Sequence, residues 1–154
     1  MHVVVLDNIR SVYNVGSIFR TANACGIGKV LLCGITPGPL DIKGRKRTDF
    51  AKVSLGAEDK VLWERKASIR EALESLHKEG YHIIAIEQDS SSMDYKRVTS
   101  KPKTAFVLGS EVDGVEKEVL SMCDVVAEIP MLGTKESLNV TIAFGVAAYR
   151  ILGV

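Results

Sequence analysis

Ile129-Pro130-Met131-Leu132-Gly133-Thr134-Lys135-Glu136-Ser137-Leu138-Asn139-Val140-Thr141-Ile142-Ala143-Phe144-Gly145 brings a strand end, a polar turn and a helix start into a few residues. The apolar run Val125 to Ile129 leads into it. Pro130 stops that run, because proline has no N–H to give a sheet ladder. Gly133 lets the chain bend, and Ser137-Leu138-Asn139 opens an apolar helical pattern that continues to the C-terminus. Open α/β sheets place ligands outside the carboxyl ends of their strands, so this segment is the natural seat of a site.

The preceding chain repeats that alternation. His2 to Leu6, Lys29 to Cys33, Tyr81 to Glu87 and Thr104 to Leu108 are short continuous apolar runs, the signature of strands buried on both faces. Val61 to Trp63 is a further short strand candidate. Between the strands, Asn14 is read as the N-cap of a helix from Gly16 to Cys25, closed by Gly26. Ser68 to Glu79 is the clearest helix, with Ser68 and Glu71 as a capping box and Leu73 and Leu76 on its apolar stripe. Glu116 to Met122 is a short helix. Leu138 to Leu152 is apolar on nearly all sides and is expected to be well buried. The pattern predicts an α/β fold with a mainly parallel sheet and helices on both faces.

A chain of 154 residues suits one domain, 1–154, with one core. Its net charge of +1 gives no global pull towards nucleic acid, so any such case rests on local patches. Lys43, Arg45, Lys46 and Arg47 form one such patch, and a solvated face is its ordinary reading. Three widely spaced cysteines in apolar contexts read as free thiols of a reducing compartment. No signal peptide or membrane span is evident, so a cytoplasmic location is expected. His2, His77 and His82 have no metal-ligand spacing, and no metal is expected.

Three polar clusters stand at strand ends or helix starts: Asn14 to Arg20, Leu108 to Gly114, and the Ser137–Asn139 segment. Arg20 either snorkels to solvent or presents a fixed fork of donors to a phosphate or ribose. Glu111 either caps a turn or holds Arg20 and a substrate hydroxyl. Ser137 and Asn139, on spacing alone, cap the last helix. The acidic residues of the 109–114 turn argue against phosphate there and suit a neutral or cationic ligand.

Together and in this order, the clusters resemble the three signature motifs of the SpoU (TrmH-like) branch of the SPOUT methyltransferases. Asn14, Gly16, Ser17, Ile18, Arg20, Thr21 and Ala22 match the first motif. Leu108, Gly109, Glu111 and Gly114 match the second. Ile129-Pro130-Met131, Gly133 and Ser137-Leu138-Asn139-Val140, followed by Ala143 and Gly145, match the third. Ser54 to Ala57 resembles a family element, usually Ser-Ala-Gly-Ala, from which Leu55 departs.

The resemblance implies transfer of methyl from S-adenosylmethionine to a ribose 2′-hydroxyl of RNA, with tRNA slightly favoured over rRNA. It also implies a homodimer and a deep C-terminal trefoil knot, an exception to the general absence of knots. Leu108, Gly109, Ile129, Met131 and Leu138 would hold the cofactor. Asn14, Arg20, Glu111, Ser137 and Asn139 would form the catalytic surface. Arg20 would act either as base or, since guanidinium stays protonated, by orienting the ribose and stabilising the alkoxide. Within this frame Lys43, Arg45, Lys46 and Arg47 become RNA-backbone contacts. A single catalytic domain is expected, without the extra RNA-binding domain that many relatives carry. The competing readings are a catalytically silent SPOUT-like RNA-binding protein and a base-nitrogen methyltransferase.

Overall fold

The computed structural model describes residues 1–154. Seven strands pair in parallel into one sheet: β1 (His2–Asp7), β2 (Ile27–Cys33), β3 (Leu62–Lys66), β4 (His82–Ile86), β5 (Met93–Asp94), β6 (Thr104–Leu108) and β7 (Val125–Glu128). Their spatial order is β3-β2-β1-β6-β4-β7-β5. Five α-helices connect them: α1 (Val12–Ala24), α2 (Thr48–Ser54), α3 (Ile69–Lys78), α4 (Lys117–Leu120) and α5 (Val140–Leu152). No helix is long and apolar enough to cross a membrane.

Period-two alternation divides the core between the two faces of the sheet. Val4, Leu6 and Phe106 point into one cluster with Ile18 and Phe19 of α1, Phe50 of α2 and Phe144 of α5. Val3, Val5 and Val107 point the other way, onto Leu73 and Leu76 of α3 and Val119 and Leu120 of α4. Two edge-to-face aromatic pairs, Phe19–Phe50 and Phe106–Phe144, tie the first layer together. Both faces of the sheet are thus covered, as the continuous apolar strands require.

β1 lies between β2 and β6, with Leu6 opposite Leu108. The chain leaves β1 for β2 on one side, while β6 and β4 lie on the other. This is a switch point in strand order, and the loops after β1 and β6 meet above it.

Local chemistry moves several expected boundaries. α1 starts at Val12, because the Ser11 hydroxyl accepts from the Asn14 N–H and is the N-cap. Asn14 is therefore inside the first turn, with its side chain free for other work. Asn139, not Ser137, caps α5, accepting from the Thr141 N–H. Of the Ser68–Glu71 capping box, the Ser68 half forms, with its hydroxyl accepting from the Glu71 N–H. α5 is only half buried: Phe144, Ala147, Ala148 and Ile151 face the sheet, whereas Ile142, Val146 and Tyr149 are exposed.

α2 and the two-residue β5 lie in segments that the alternation of apolar runs does not mark. α2 ends on Leu55, which takes the left-handed conformation at φ 52°. An exposed leucine there is strained by its Cβ. Leu55→Gly is expected to raise stability by about 1 kcal/mol, the strain relieved exceeding the added unfolded-chain entropy. Urea denaturation checks this through an increased midpoint at unchanged slope.

Candidate active site

At the carboxyl ends of β6, β4 and β7 lies a cleft of about 730 Å³, walled by the loops 109–114 and 129–139. Both loops are pinned from below. The 109–114 turn closes on itself through the Gly114 N–H donating to the Ser110 carbonyl, and the Ser110 hydroxyl accepts from the N–H groups of Val112 and Asp113. Glu87, at the end of β4, holds the far side of the turn by accepting from the Val115 N–H at 2.9 Å. A Cβ on Gly114 would collide with that carboxylate, and Gly114 has φ 68°. Gln88 donates to the Glu136 carbonyl and anchors the second loop.

A chain of side-chain contacts joins the three polar clusters. Glu111 accepts from the Arg10 N–H at 2.9 Å, the Ser11 N–H at 3.1 Å and the Asn14 amide at 2.9 Å. Asn14 in turn accepts from the Asn139 amide at 3.4 Å. Asn14 is buried at the centre of this chain, where the start of α1 faces both loops. Glu111 therefore caps backbone and holds Asn14; it does not hold Arg20. Partial burial pushes its carboxyl up, but the donors of Arg10, Asn14 and Ser11 outweigh this and hold it below the ordinary value of 4.5.

The sign of that shift sets a pH dependence. A depressed folded pKa gives stability that is present above the unfolded value and lost as pH falls through the folded one. Glu111→Gln is expected to cost about 1 kcal/mol at neutral pH, discounted for exposure. The gap between parent and variant should close as pH falls through 4.5 and below. Thermal melts across that range check it; a gap that persists in acid would contradict the assignment.

Leu108, Gly109, Ile129, Met131 and Leu138, the nominated cofactor residues, all line the cleft. So do Glu111, Ser137 and Asn139. Arg20 does not. It lies six residues beyond Asn14, about 9 Å along the axis of α1, on an exposed position without an ion pair. The basic patch is largely neutralised: Arg45 pairs with Asp41 at 2.9 Å, Lys46 with Asp59 at 3.0 Å and Arg47 with Asp49 at 2.8 Å. Lys43 alone of the four makes no ion pair.

Sequence reasoning missed Glu87. Its only signal was an acid ending an apolar strand, and the adjacency of β4 and β6 that gives it a task is not visible in sequence. With Glu87, the cleft wall carries five acids (Glu87, Asp89, Glu111, Asp113, Glu116) against one base, Lys117.

Residues 1–149 match the SpoU rRNA Methylase family. The chain belongs to that family. Among its relatives, the 23S rRNA (guanosine-2′-O-)-methyltransferase RlmB of Xylella fastidiosa is 32% identical over 148 residues, covering 96% of this chain and 57% of that protein. An AdoMet-bound rRNA methyltransferase from Sinorhizobium meliloti superposes with a TM-score of 0.87 at 25% identity, over 97% of this chain and 55% of that one. A protein described by the 2-OH methylation of C/U34 on tRNA superposes with a TM-score of 0.81 at 25% identity, over 98% of this chain and 93% of that one. The chain thus spans a little over half the length of the curated relatives it matches.

Proposed function

We propose that this SpoU-family chain transfers a methyl group from S-adenosylmethionine to a ribose 2′-hydroxyl of structured RNA, as a single catalytic domain over residues 1–154. The observation that carries the reading is the hydrogen-bonded chain Glu111–Asn14–Asn139, which joins all three family motifs at the rim of one cleft. tRNA is favoured over rRNA, a reading supported by the likeness to proteins described by methylation or modification of tRNA.

The cleft fits the cofactor. Its volume falls within the 300–1,000 Å³ usual for small-molecule sites, and its acidic wall suits a sulfonium cation. Leu108, Ile129, Met131 and Leu138 would enclose the adenosine, with loop backbone at Gly109, Ile129 and Leu138 supplying hydrogen-bonding groups. Bound S-adenosylmethionine supplies an electrophilic methyl. The chain's own residues must then place the ribose oxygen in line with it. Asn14 and Asn139 are held rigid for this, and Ser137 adds a hydroxyl at the rim. The ribose oxygen so placed would take the methyl, the cofactor leaving as its neutral thioether, and the hydroxyl proton would pass to solvent. Glu111, its oxygens already occupied by three N–H donors, is a positioning residue and a poor base.

Charge on the reacting oxygen calls for a cation, and the cleft of one copy carries a single one, Lys117, among five acids. We assign this to Arg20 of a second copy in a homodimer packed through α1 and the exposed apolar face of α5. Arg20 would orient the ribose and adjacent phosphate and stabilise the alkoxide. The proposal includes a C-terminal trefoil knot. In its favour, the 109–114 and 129–139 loops fold over one cleft while α5 returns across β6 to pack Phe144 on Phe106. The free cysteines accord with a cytoplasmic site of action.

The test is incubation with tRNA and methyl-labelled S-adenosylmethionine, followed by alkaline hydrolysis. Ribose methylation protects the adjacent phosphodiester, so label should appear in an alkali-resistant dinucleotide. Label recovered only in mononucleotides would indicate base methylation and refute the ribose reading.

A further inference from the structure

The segment after β2 is built as a rigid projection. Leu40 and Lys46 form an antiparallel bridge, and the Asp41 N–H donates to the Arg45 carbonyl at 2.9 Å. The Asp41 carboxylate accepts from the N–H groups of Lys43 and Arg45 at 2.8 and 2.9 Å and pairs with the Arg45 side chain. Gly44, at φ 75°, closes the turn. The Asp41 carboxylate and the Arg45 side chain are thus spent on the hairpin's own shape, and Lys46 ties it to Asp59. What it presents at its tip is Ile42, fully exposed, with the unpaired Lys43 beside it.

A folded chain gains nothing from holding an isoleucine rigidly in water, since burial is what stabilises such a side chain. At the foot of the hairpin is a second cleft, of about 690 Å³, lined by Ile35, Ile42, Arg47 and Arg65 among others. Arg65 donates only a long 3.4 Å bond to the Gly34 carbonyl and has no carboxylate partner. An apolar wedge between cations fits a single-stranded nucleic acid: the base face meets the aliphatic surface while phosphates meet guanidinium and ammonium groups.

Position strengthens the case. All strands are parallel, so this cleft, at the carboxyl ends of β2 and β3, shares the sheet edge with the acidic cleft at β6. β2 and β6 are two strand spacings apart, about 10 Å, a span that a few nucleotides of one strand cross. Arg10, whose side chain makes no hydrogen bond, stands between them at the end of β1.

We infer that the 40–46 hairpin, with Ile42 as wedge and Lys43 and Arg65 as phosphate contacts, docks an unpaired nucleotide of the substrate RNA next to the one presented for methylation. This rests on the RNA-methyltransferase reading and deepens it. It also shifts the backbone contacts from the self-paired Arg45 and Lys46 to Lys43 and Arg65.

The test is fluorescence anisotropy with a labelled RNA stem-loop and a fully paired duplex of the same composition, across a salt series. Ile42→Ser should weaken stem-loop binding roughly tenfold, the scale of one lost base contact, with the duplex unaffected and the salt slope unchanged. Ile42→Leu should restore it. Arg65→Gln should weaken both RNAs and flatten the salt slope by about one ion. Parent-level binding in both variants, or equal loss on stem-loop and duplex for Ile42→Ser, would overturn the inference and leave the exposed hairpin to a protein contact. The functional reading fails separately: it falls if the parent protein does not bind S-adenosylmethionine, whatever the hairpin variants do.

Discussion

Gly109→Ala is expected to destabilise the protein by about 3 kcal/mol or more, the upper range for overpacking a rigid site. Gly109 is the first residue past β6 and is buried. A Cβ there would lie far inside van der Waals contact of the Gly114 carbonyl carbon and oxygen and the Val115 nitrogen. These are backbone atoms of a turn fixed by the Ser110–Gly114 bridge below and by Glu87 on its far side. No flexible side chain can swing aside, so either the turn opens or β6 shifts. Both displace one wall of the acidic cleft. The measurement is a thermal melt, in which the midpoint should fall by roughly 6–12 °C. A midpoint within a degree or two of the parent would mean that the turn is softer than its bonds imply.

Arg20→Lys is expected to leave fold and cofactor affinity at parent levels while lowering the rate of methyl transfer about 10²- to 10³-fold, the scale of one lost oxyanion donor. Lysine keeps the charge but loses the planar fork that would grip ribose oxygen and phosphate together. Arg20 is exposed on α1 and outside its own chain's cleft, so the substitution disturbs no packing. Single-turnover transfer on tRNA provides the rate. If Arg20→Lys kept most of the activity, the fork-based role would be wrong, and a deprotonatable amine acting as base would gain ground.

The strands were legible because a parallel sheet covered on both faces leaves unbroken apolar runs. Thr104 to Leu108 was delimited from sequence with the ends it has in the fold. The start of α1 was not, because Ser11 and Asn14 are both competent caps, and only the sheet brings Glu111 to claim the Asn14 side chain. α2 was hidden in a short, highly charged segment that carries one buried aromatic, Phe50. β5 is a two-residue pairing with β7 that no local pattern announces. α5 was misjudged in burial: its apolar composition is real, but a continuous surface of Ile142, Val146 and Tyr149 faces outward from the single chain.

For the site, the nominated cofactor residues converged on one cleft because three loops at one sheet edge share it. The partners that pin them did not emerge, since Glu87 and Gln88 act across non-sequential strands. The basic patch, read as a solvated face or as RNA contacts, is paired mostly by its own neighbours: Asp41 and Asp49 stand beside Arg45 and Arg47 in sequence, and only Asp59, on Lys46, comes from further along the chain.

The most direct test of the central claim is a calorimetric titration of S-adenosylmethionine into the folded protein. Saturable binding with one site per chain, competed by S-adenosylhomocysteine, is the predicted result. A folded sample that takes up no cofactor, with or without RNA present, would contradict the assignment of the acidic cleft as a methyl-donor site.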